Sequence, residues 1–332
     1  MRPALLRCLA LCLTLLVAIP LAAQSANEKD LKDIGHRGVG DGLDFYSMEK
    51  EIALGKQLAQ QVDATARIIH DPAVNEYINR LTQNLVRHSD AKVPFTVQVI
   101  ESPQVNAMAL PGGYFFVNSG LILAADDEAE LVGPMAHEIA HVAARHGTRN
   151  MTKSEIINYA TLPLIFVGGG IGFAGRSLAT VAIPMSFLKF SRSDEREADY
   201  LGIQYMYEAG YDPQAFVQMF EKLLSEEKKQ PGFLAKAFES HPPTPARIRA
   251  AEKEIHTLLP PRPEYIENTS EFEQIKARLA MIEHRDNMDM KLHPSGRPSL
   301  LHPNGTPVLG DGKSDGKTPT LKHRPGGGGG EF

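Results

Sequence analysis

The stretch Leu131-Val132-Gly133-Pro134-Met135-Ala136-His137-Glu138-Ile139-Ala140-His141-Val142 decides how the rest of the chain is interpreted. On an α-helix, residues four positions apart share a face, so His137 and His141 can bind one metal ion together. Glu138 lies roughly 100° further around the helix axis, close enough to deprotonate a water molecule on that ion. The apolar flanks predict a buried helix, in which these polar groups would be costly unless a metal satisfied them.

These residues form the H-E-x-x-H motif of zinc peptidases. The five-residue pattern also fits an amphipathic helix with two surface histidines, so the motif alone does not decide. Pro134 is an irregularity, because proline inside a helix removes a backbone hydrogen bond, here to Glu130, and costs about 3 kcal/mol. The sequence therefore predicts either a kink at Pro134 or a regular helix that starts near Gly133, with Asp126 or Asp127 as a cap upstream.

A catalytic zinc site needs a third protein ligand and an open position. The charged run 191–199 offers Glu195 and Asp199, which lie four residues apart on one face of a predicted helix. One of the two could bind the metal while the other orients a histidine, whereas Glu197 lies on nearly the opposite side. Such runs are usually solvated, but Ala198 and the apolar residues that follow predict one buried side.

A small β-sheet is predicted just before the motif helix. Residues 95–100 alternate in polarity and are rich in β-branched side chains, and Gly113 to Val117 form a second strand after a Pro-Gly-Gly turn. Zinc proteases commonly hold an extended substrate along an edge strand, although a purely structural hairpin fits equally well. The candidate substrate-binding residues are Asn106, Ala107, Met108 and Ala109. The predicted fold class is α+β, mainly helical, with the sheet beside the active-site helix.

Several motifs together resemble a known family. They are His137-Glu138-x-x-His141, Ser191-Arg192-x-x-Glu195-x-x-Ala198-Asp199, Ser240-His241-Pro242-Pro243-Thr244-x-x-Arg247-Ile248, Asn106-Ala-x-Ala-x-Pro111-Gly-Gly and Glu128-Ala-Glu-Leu131. This set resembles the HtpX-like and BepA-like zinc metalloproteases of peptidase family M48, which also contains the CAAX prenyl protease. The likeness covers roughly Phe45 to Arg285. The chain departs from the family at Pro134, where an ordinary apolar helix former is usual.

The resemblance implies a gluzincin-type zincin domain that holds one zinc ion per chain. The implied ligands are His137, His141 and Glu195, with Glu138 as the general base and Asp199 as the partner of a ligand histidine. It also implies that His241 lies near the zinc, either as a fourth ligand in a resting state or as a stabiliser of the oxyanion. Arg247 is the other candidate for stabilising the oxyanion.

The chain divides into four predicted segments. Residues 1–23 have a basic start, an apolar centre and small residues at the end, as in a secretory signal peptide. Residues 24–44 are predicted to form a flexible leader, 45–285 the metallopeptidase domain and 286–332 a disordered Pro/Gly-rich tail. Both cysteines, Cys8 and Cys12, lie in the signal, so the mature chain has no disulfide.

Within the domain, residues 160–184 are almost wholly apolar but contain several glycines and Arg176. They are predicted to form a lid over the active site that also touches the membrane, with a buried or a transmembrane hairpin as alternatives.

The charge balance gives no hint of nucleic-acid binding. Without Arg2 and Arg7 of the predicted signal, the 35 basic residues become 33 against 40 acidic residues, a net charge of −7.

The predicted function is a zinc metalloendopeptidase of the bacterial cell envelope, periplasmic or secreted, which contacts the membrane at its periphery. Its expected substrates are misfolded or unassembled proteins of the envelope or the outer membrane, and the enzyme is latent until a substrate binds. Two alternatives remain open from sequence: a zinc-bound periplasmic chaperone or assembly factor with little proteolysis, and a zinc amidase of cell-wall peptides.

Overall fold

The computed structural model describes residues 31–40, 42–167, 189–229, 241 and 243–292. The predicted signal peptide, residues 168–184 of the apolar segment and residues 293–332 of the predicted tail lie outside these ranges. Among the described helices, none has both the length and the apolar character that crossing a membrane requires.

The elements follow one another along the described chain. The helices are α1 (Met48–Asp63), α2 (Pro72–Arg87), α3 (Ser119–Ala124), α4 (Glu128–Ala143), α5 (His146–Val167), α6 (Arg192–Glu208), α7 (Gln214–Lys229), α8 (Pro245–Leu258) and α9 (Ser270–Leu292). The strands are β1 (Thr96–Ile100), β2 (Ala107–Leu110) and β3 (Tyr114–Asn118). Short 3-10 helices occupy Leu31–Asp33 and Pro111–Gly113. The prediction of an α+β, mainly helical fold is confirmed.

The small sheet has the order β1-β3-β2, with β1 parallel and β2 antiparallel to the central strand. The sequence predicted two strands, and the third, β2, was missed because its four residues, Ala-Met-Ala-Leu, have little β-propensity. The Pro-Gly-Gly turn joins β2 to β3, and Gly112 and Gly113 adopt φ of 75° and 87°, which favours glycine. As a result β2 lies at the edge of the sheet that faces helix α4.

Helix α4, which carries the motif, is buried along its whole length and packs against α6, α7 and β2. Asp127 is its N-cap, and its carboxylate accepts a hydrogen bond from Glu130 N–H at 2.8 Å. The helix begins at Glu128 and continues through Pro134, so of the two predicted alternatives the one with a regular helix that starts near Gly133 is wrong. Gly202 of α6 packs so closely that a Cβ there would lie 3.0 Å from the backbone nitrogen of His137. The absence of a side chain at this position therefore lets α6 pack directly against the motif.

The leader differs from the predicted flexible segment. Arg37 is buried, and its Nε donates to Asp90 Oδ2 at 2.9 Å while Nη1 donates to Gln204 Oε1 at 2.8 Å. Gly35 N–H also donates to Asp90 Oδ1 at 2.7 Å. A buried guanidinium must be paired, so these bonds fix the described part of the leader to the domain. Sequence periodicity could not reveal this, because the partners lie more than 50 residues away.

The last helix is longer than predicted. Met281 ends the compact unit to which the site belongs, and the described residues from Ile282 onward continue α9 as far as Leu292. Residues 286–292 of the predicted disordered tail are therefore helical. The reason is visible in the sequence, since no proline or glycine occurs between Ser270 and Pro294 to end the helix earlier.

Candidate metal centre

Four potential ligands meet in the interior of the domain. His137 and His141 project from α4, Glu195 from the first turns of α6, and His241 from the segment before α8. All four side chains are buried, and one donor atom from each lies within 4.8 Å of the others. The His137 and His141 Nε2 atoms are 3.0 Å apart, and His241 Nδ1 lies 3.4 Å from His137 Nε2 and 2.7 Å from Glu195 Oε1.

This donor set fits a metal ion. Imidazole nitrogens about 2.0–2.1 Å from a tetrahedral zinc lie about 3.3 Å from one another, close to the separations seen here. Nitrogen and carboxylate oxygen are also the donor types that zinc takes. Glu195 Oε2 is buried and lies 3.6 Å from His137 Nε2 and 2.9 Å from Arg247 Nη1, so the carboxylate stays close to the histidine donors. The four groups can therefore hold a metal, and three of them already belong to the predicted ligand set.

The electrostatics favour the protonation states that a metal needs. Burial and the neighbouring His137 and His241 lower the pKa of His141 well below its ordinary value. Burial opposes ionisation of Glu195, but hydrogen bonds with His137 and His241 outweigh it and lower its pKa. Burial would also lower the pKa of His137, yet Asp199 and Glu195 raise it to about 9. A neutral His141 and an ionised Glu195 are ready to bind a cation, which would compete with the proton on His137.

Behind His137 lies a carboxylate that is itself held in place. Asp199 Oδ1 is 3.0 Å from His137 Nδ1. Arg247 binds the same carboxylate twice, with Nε donating to Oδ2 at 2.7 Å and Nη2 donating to Oδ1 at 2.6 Å. Arg247 Nη1 lies 2.9 Å from Glu195 Oε2 and donates to the His241 carbonyl oxygen at 3.1 Å. Arg247 was a candidate for stabilising the oxyanion, but these pairings favour a role in positioning the site.

Glu138 is buried beside the four donor groups. Its Oε2 accepts a hydrogen bond from the backbone N–H of Ala109 at 3.1 Å, and its Oε1 lies 3.5 Å from His241 Nε2. The edge strand β2 therefore orients the predicted general base. Of the four candidate substrate-binding residues, Ala109 directs its N–H to Glu138, and the Asn106 carbonyl accepts from Asn118 within the sheet. Met108 is the partly exposed member of β2.

Sequence reasoning missed two neighbours of His141, and the carboxylate that pairs with the first of them. The first neighbour is His146: Arg145 adopts a φ of 58° and turns the chain after α4, so His146 begins α5. Its Nδ1 lies 2.9 Å from His141 Nδ1, and its Nε2 lies 3.2 Å from Glu197 Oε2. Phe190 stacks on the His141 ring with centroids 4.0 Å apart. The only sequence signals were a third histidine five residues on and a second glutamate in the charged run.

A buried helix that presents two histidines and a glutamate, completed by a glutamate from a second helix, is the arrangement of a zincin-type metallopeptidase. The chain belongs to peptidase family M48: the family's sequence profile matches residues 72–255. This confirms the resemblance found in the sequence. M48 enzymes depend on a metal, and the buried donor set of this chain could hold one.

Three relatives illustrate the similarity. The beta-barrel assembly-enhancing protease of Escherichia coli (strain K12) is 31% identical over 274 residues, which are 78% of this chain and 53% of that protein. The corresponding protease of Yersinia pestis is 32% identical over 229 residues, 64% of this chain and 46% of the relative. Metalloprotease LoiP of Escherichia coli (strain K12) is 29% identical over 242 residues, which are 71% of this chain and 93% of that protein. The chain spans about half the length of the two assembly-enhancing proteases.

Proposed function

We propose that this protein is a zinc-dependent metalloendopeptidase of the bacterial cell envelope that hydrolyses misfolded or unassembled proteins. One observation carries the proposal: a buried set of donors from His137, His141 and Glu195 lies beside the Glu138 carboxylate. The similarity to the beta-barrel assembly-enhancing proteases supports outer-membrane proteins as the substrate class. The predicted signal peptide supports a periplasmic location.

The proposed roles follow from the geometry of the chain's own groups. Zinc bound by His137, His141 and Glu195 would supply the Lewis acid that polarises a scissile carbonyl and acidifies a water molecule. Glu138 takes the proton of that water and then delivers it to the leaving amine. The hydrogen bond from Ala109 N–H occupies Glu138 Oε2, so this transfer falls to Oε1, which lies 3.5 Å from His241 Nε2 in this structure.

His241 supports a latent resting state. Its Nδ1 faces His137 and Glu195, so it occupies the direction in which a fourth ligand would approach. Four protein ligands would leave no position for a catalytic water. The Arg247 guanidinium holds the His241 carbonyl oxygen, and Thr244 caps the helix that follows, which keeps this segment in place. Opening would require His241 to leave when a substrate protein binds.

A comparison of three proteins tests the proposed function: the wild type, Glu138→Gln and His241→Ala. We expect each to contain about one zinc per chain, as measured by atomic spectrometry, because Glu138 is not in the donor set and three ligands remain in the His241 variant. Digestion of unfolded casein should be slow for the wild type, faster for His241→Ala and absent for Glu138→Gln. A wild-type protein without bound metal would contradict the proposal.

A zinc-bound assembly factor with little proteolysis is the second candidate. The observation that favours it is the fourth donor, because a permanently closed donor set would bind zinc without catalysing hydrolysis. Complementation of a deletion strain by Glu138→Gln distinguishes the two. Full complementation would favour the assembly factor, whereas loss of complementation with retained zinc would favour the endopeptidase.

A further inference from the structure

A row of polar groups, buried at His146 and partly exposed at Glu197, leads away from His141 on the side opposite the donor atoms. His141 Nδ1 lies 2.9 Å from His146 Nδ1, and His146 Nε2 lies 3.2 Å from Glu197 Oε2. The other oxygen, Glu197 Oε1, accepts a hydrogen bond from Gly40 N–H at 2.7 Å. We propose that His146 and Glu197 are positioning residues that orient His141 for metal binding, and that Gly40 of the leader completes this chain.

The direction of the hydrogen bonds follows from the metal-binding nitrogen. His141 directs Nε2 at the other donors, so Nε2 must keep its lone pair and the ring proton must be on Nδ1. The Nδ1–H of His141 then donates to His146 Nδ1. This requires His146 to carry its proton on Nε2, where it donates to Glu197. Each bond fixes the tautomer of the next ring, and the carboxylate at the end makes this arrangement the favoured one.

The fold provides a separate support for each ligand histidine. Helix α6 supplies Asp199 to His137 directly and Glu197 to His141 through the ring of His146. The two carboxylates lie on different sides of α6, which is why Glu197 does not reach the donor atoms. Metal-binding histidines usually donate their second ring N–H to a carboxylate, a carbonyl or a water molecule. Here an intervening imidazole extends that link by one residue.

The backbone conformation at both ends of this row of hydrogen bonds makes the row possible. A φ of 58° at Arg145 reverses the chain after α4, so that His146 returns to the face of His141. Gly40 has a φ of 78°, and a Cβ there would clash with the carbonyl oxygen of Ala144. Glycine at position 40 therefore allows the leader to approach Glu197 and donate its N–H. The leader thus acts on the metal site without touching the donor atoms.

This inference rests on the proposed zinc site, and the decisive quantity is the dissociation constant for zinc. It is measured on the full chain by competition with a chromophoric chelator, together with the stability of chelator-stripped protein to urea. The variants are His146→Leu, which removes the acceptor, and His146→Asn, whose amide oxygen can replace Nδ1 as the acceptor but cannot reach Glu197. Glu197→Gln weakens the far end, and Glu208→Gln is the matched control on the same helix, where Glu208 pairs with Arg262 at 3.0 Å.

We expect the zinc dissociation constant to rise about 10–100-fold in His146→Leu and about 10-fold in Glu197→Gln. The zinc dissociation constant of His146→Asn should lie between those of His146→Leu and the wild type. A purely structural role of His146 would not produce this partial rescue. Glu208→Gln should match the wild type. Unchanged zinc affinity in both His146→Leu and Glu197→Gln would overturn the inference, even if the stripped proteins were less stable. If His146→Leu does not fold, Glu197→Gln and His146→Asn decide. A wild-type protein that fails to bind zinc would instead overturn the proposed function.

Discussion

The Nδ1 atom of His137 lies 3.0 Å from Oδ1 of Asp199, within the buried contact between helices α4 and α6. Burial alone would raise the pKa of Asp199, but hydrogen bonds from Arg247 and His137 lower it. The carboxylate is therefore ionised and fixed by the two bonds from the Arg247 guanidinium. An oriented carboxylate at Nδ1 leaves Nε2 of His137 free to face the other donor groups.

Asp199→Asn should weaken zinc binding by about 10–100-fold and lower hydrolysis at a fixed zinc concentration. The amide cannot carry the charge that orients His137 and pairs with Arg247. Zinc content and casein hydrolysis of the purified variant measure both effects. Asp126→Asn is the control, since that side chain is 76% exposed and pairs only with Lys222 among the described contacts. Unchanged activity in Asp199→Asn would reduce Asp199 to a partner of Arg247.

Glu195→Gln should lose most of its zinc, because the amide replaces a buried ionised donor. Glu197→Gln, two residues away on α6, should retain zinc when purified at micromolar protein concentration, since its expected effect on affinity is only about 10-fold. Zinc per chain after gel filtration distinguishes them. The reverse pattern would mean that Glu197 and not Glu195 is the ligand.

The parts of the site that could be predicted from sequence are those set by helical spacing. His137 and His141, and likewise Glu195 and Asp199, are four residues apart, so one face of a helix carries each pair whatever the rest of the chain does. Which of Glu195 and Asp199 faces the metal depended on the resemblance to family M48. The structure places Glu195 among the donors and Asp199 behind His137.

The unpredicted parts depend on contacts between distant segments or on single backbone angles. His146 reaches His141 only because Arg145 takes a positive φ, which no sequence period encodes. Arg37 and Asp90 pair across 53 residues, so a polar, glycine-rich leader gave no sign of being anchored. Strand β2 is short and alanine-rich, and it forms because β3 and α4 offer it hydrogen-bonding partners.

Arg37→Ala should lower the free energy of unfolding by about 3–5 kcal/mol, because it leaves the Asp90 carboxylate buried without its cation. Tyr205 O–H and Gly35 N–H would still donate to Asp90, but neither supplies a charge. Urea denaturation provides the measurement. Arg67→Ala is the control: its side chain is 56% exposed and pairs with Glu101, so a loss of about 0–1 kcal/mol is expected. Equal effects would contradict the anchoring of the leader.

Glu254 should make the stability of the protein depend on pH. Burial raises its pKa from 4.5 to about 9, so the folded protein keeps a proton that the unfolded chain releases. The free energy of unfolding therefore falls as the pH rises between these values, by at most about 1.4 kcal/mol per pH unit from this group. Between about pH 6 and pH 8, the free energy of unfolding should fall by about 1–2 kcal/mol less in Glu254→Gln than in the wild type. Parallel curves in urea denaturation would refute the raised pKa.

His241→Ala provides the sharpest test of latency. The imidazole has both nitrogens engaged: Nδ1 lies 2.7 Å from Glu195 Oε1, and Nε2 lies 3.5 Å from Glu138 Oε1. As a fourth ligand it would exclude the catalytic water and restrain the general base at once, so its removal should increase basal casein hydrolysis with zinc retained. As an oxyanion stabiliser its removal should instead lower turnover by about 10²–10³.

The comparison needs two further proteins to assign the change to this site. His256→Ala is the matched control, because His256 is an exposed histidine on helix α8 and its removal should leave hydrolysis unchanged. The double variant Glu138→Gln/His241→Ala should be inactive, since any activity released by removing His241 must still use Glu138. A decrease in rate with full zinc content in His241→Ala would exclude latency and make His241 a direct participant in catalysis. An increase that disappears in the double variant would support latency, because it would show that removal of this imidazole releases hydrolysis that depends on Glu138.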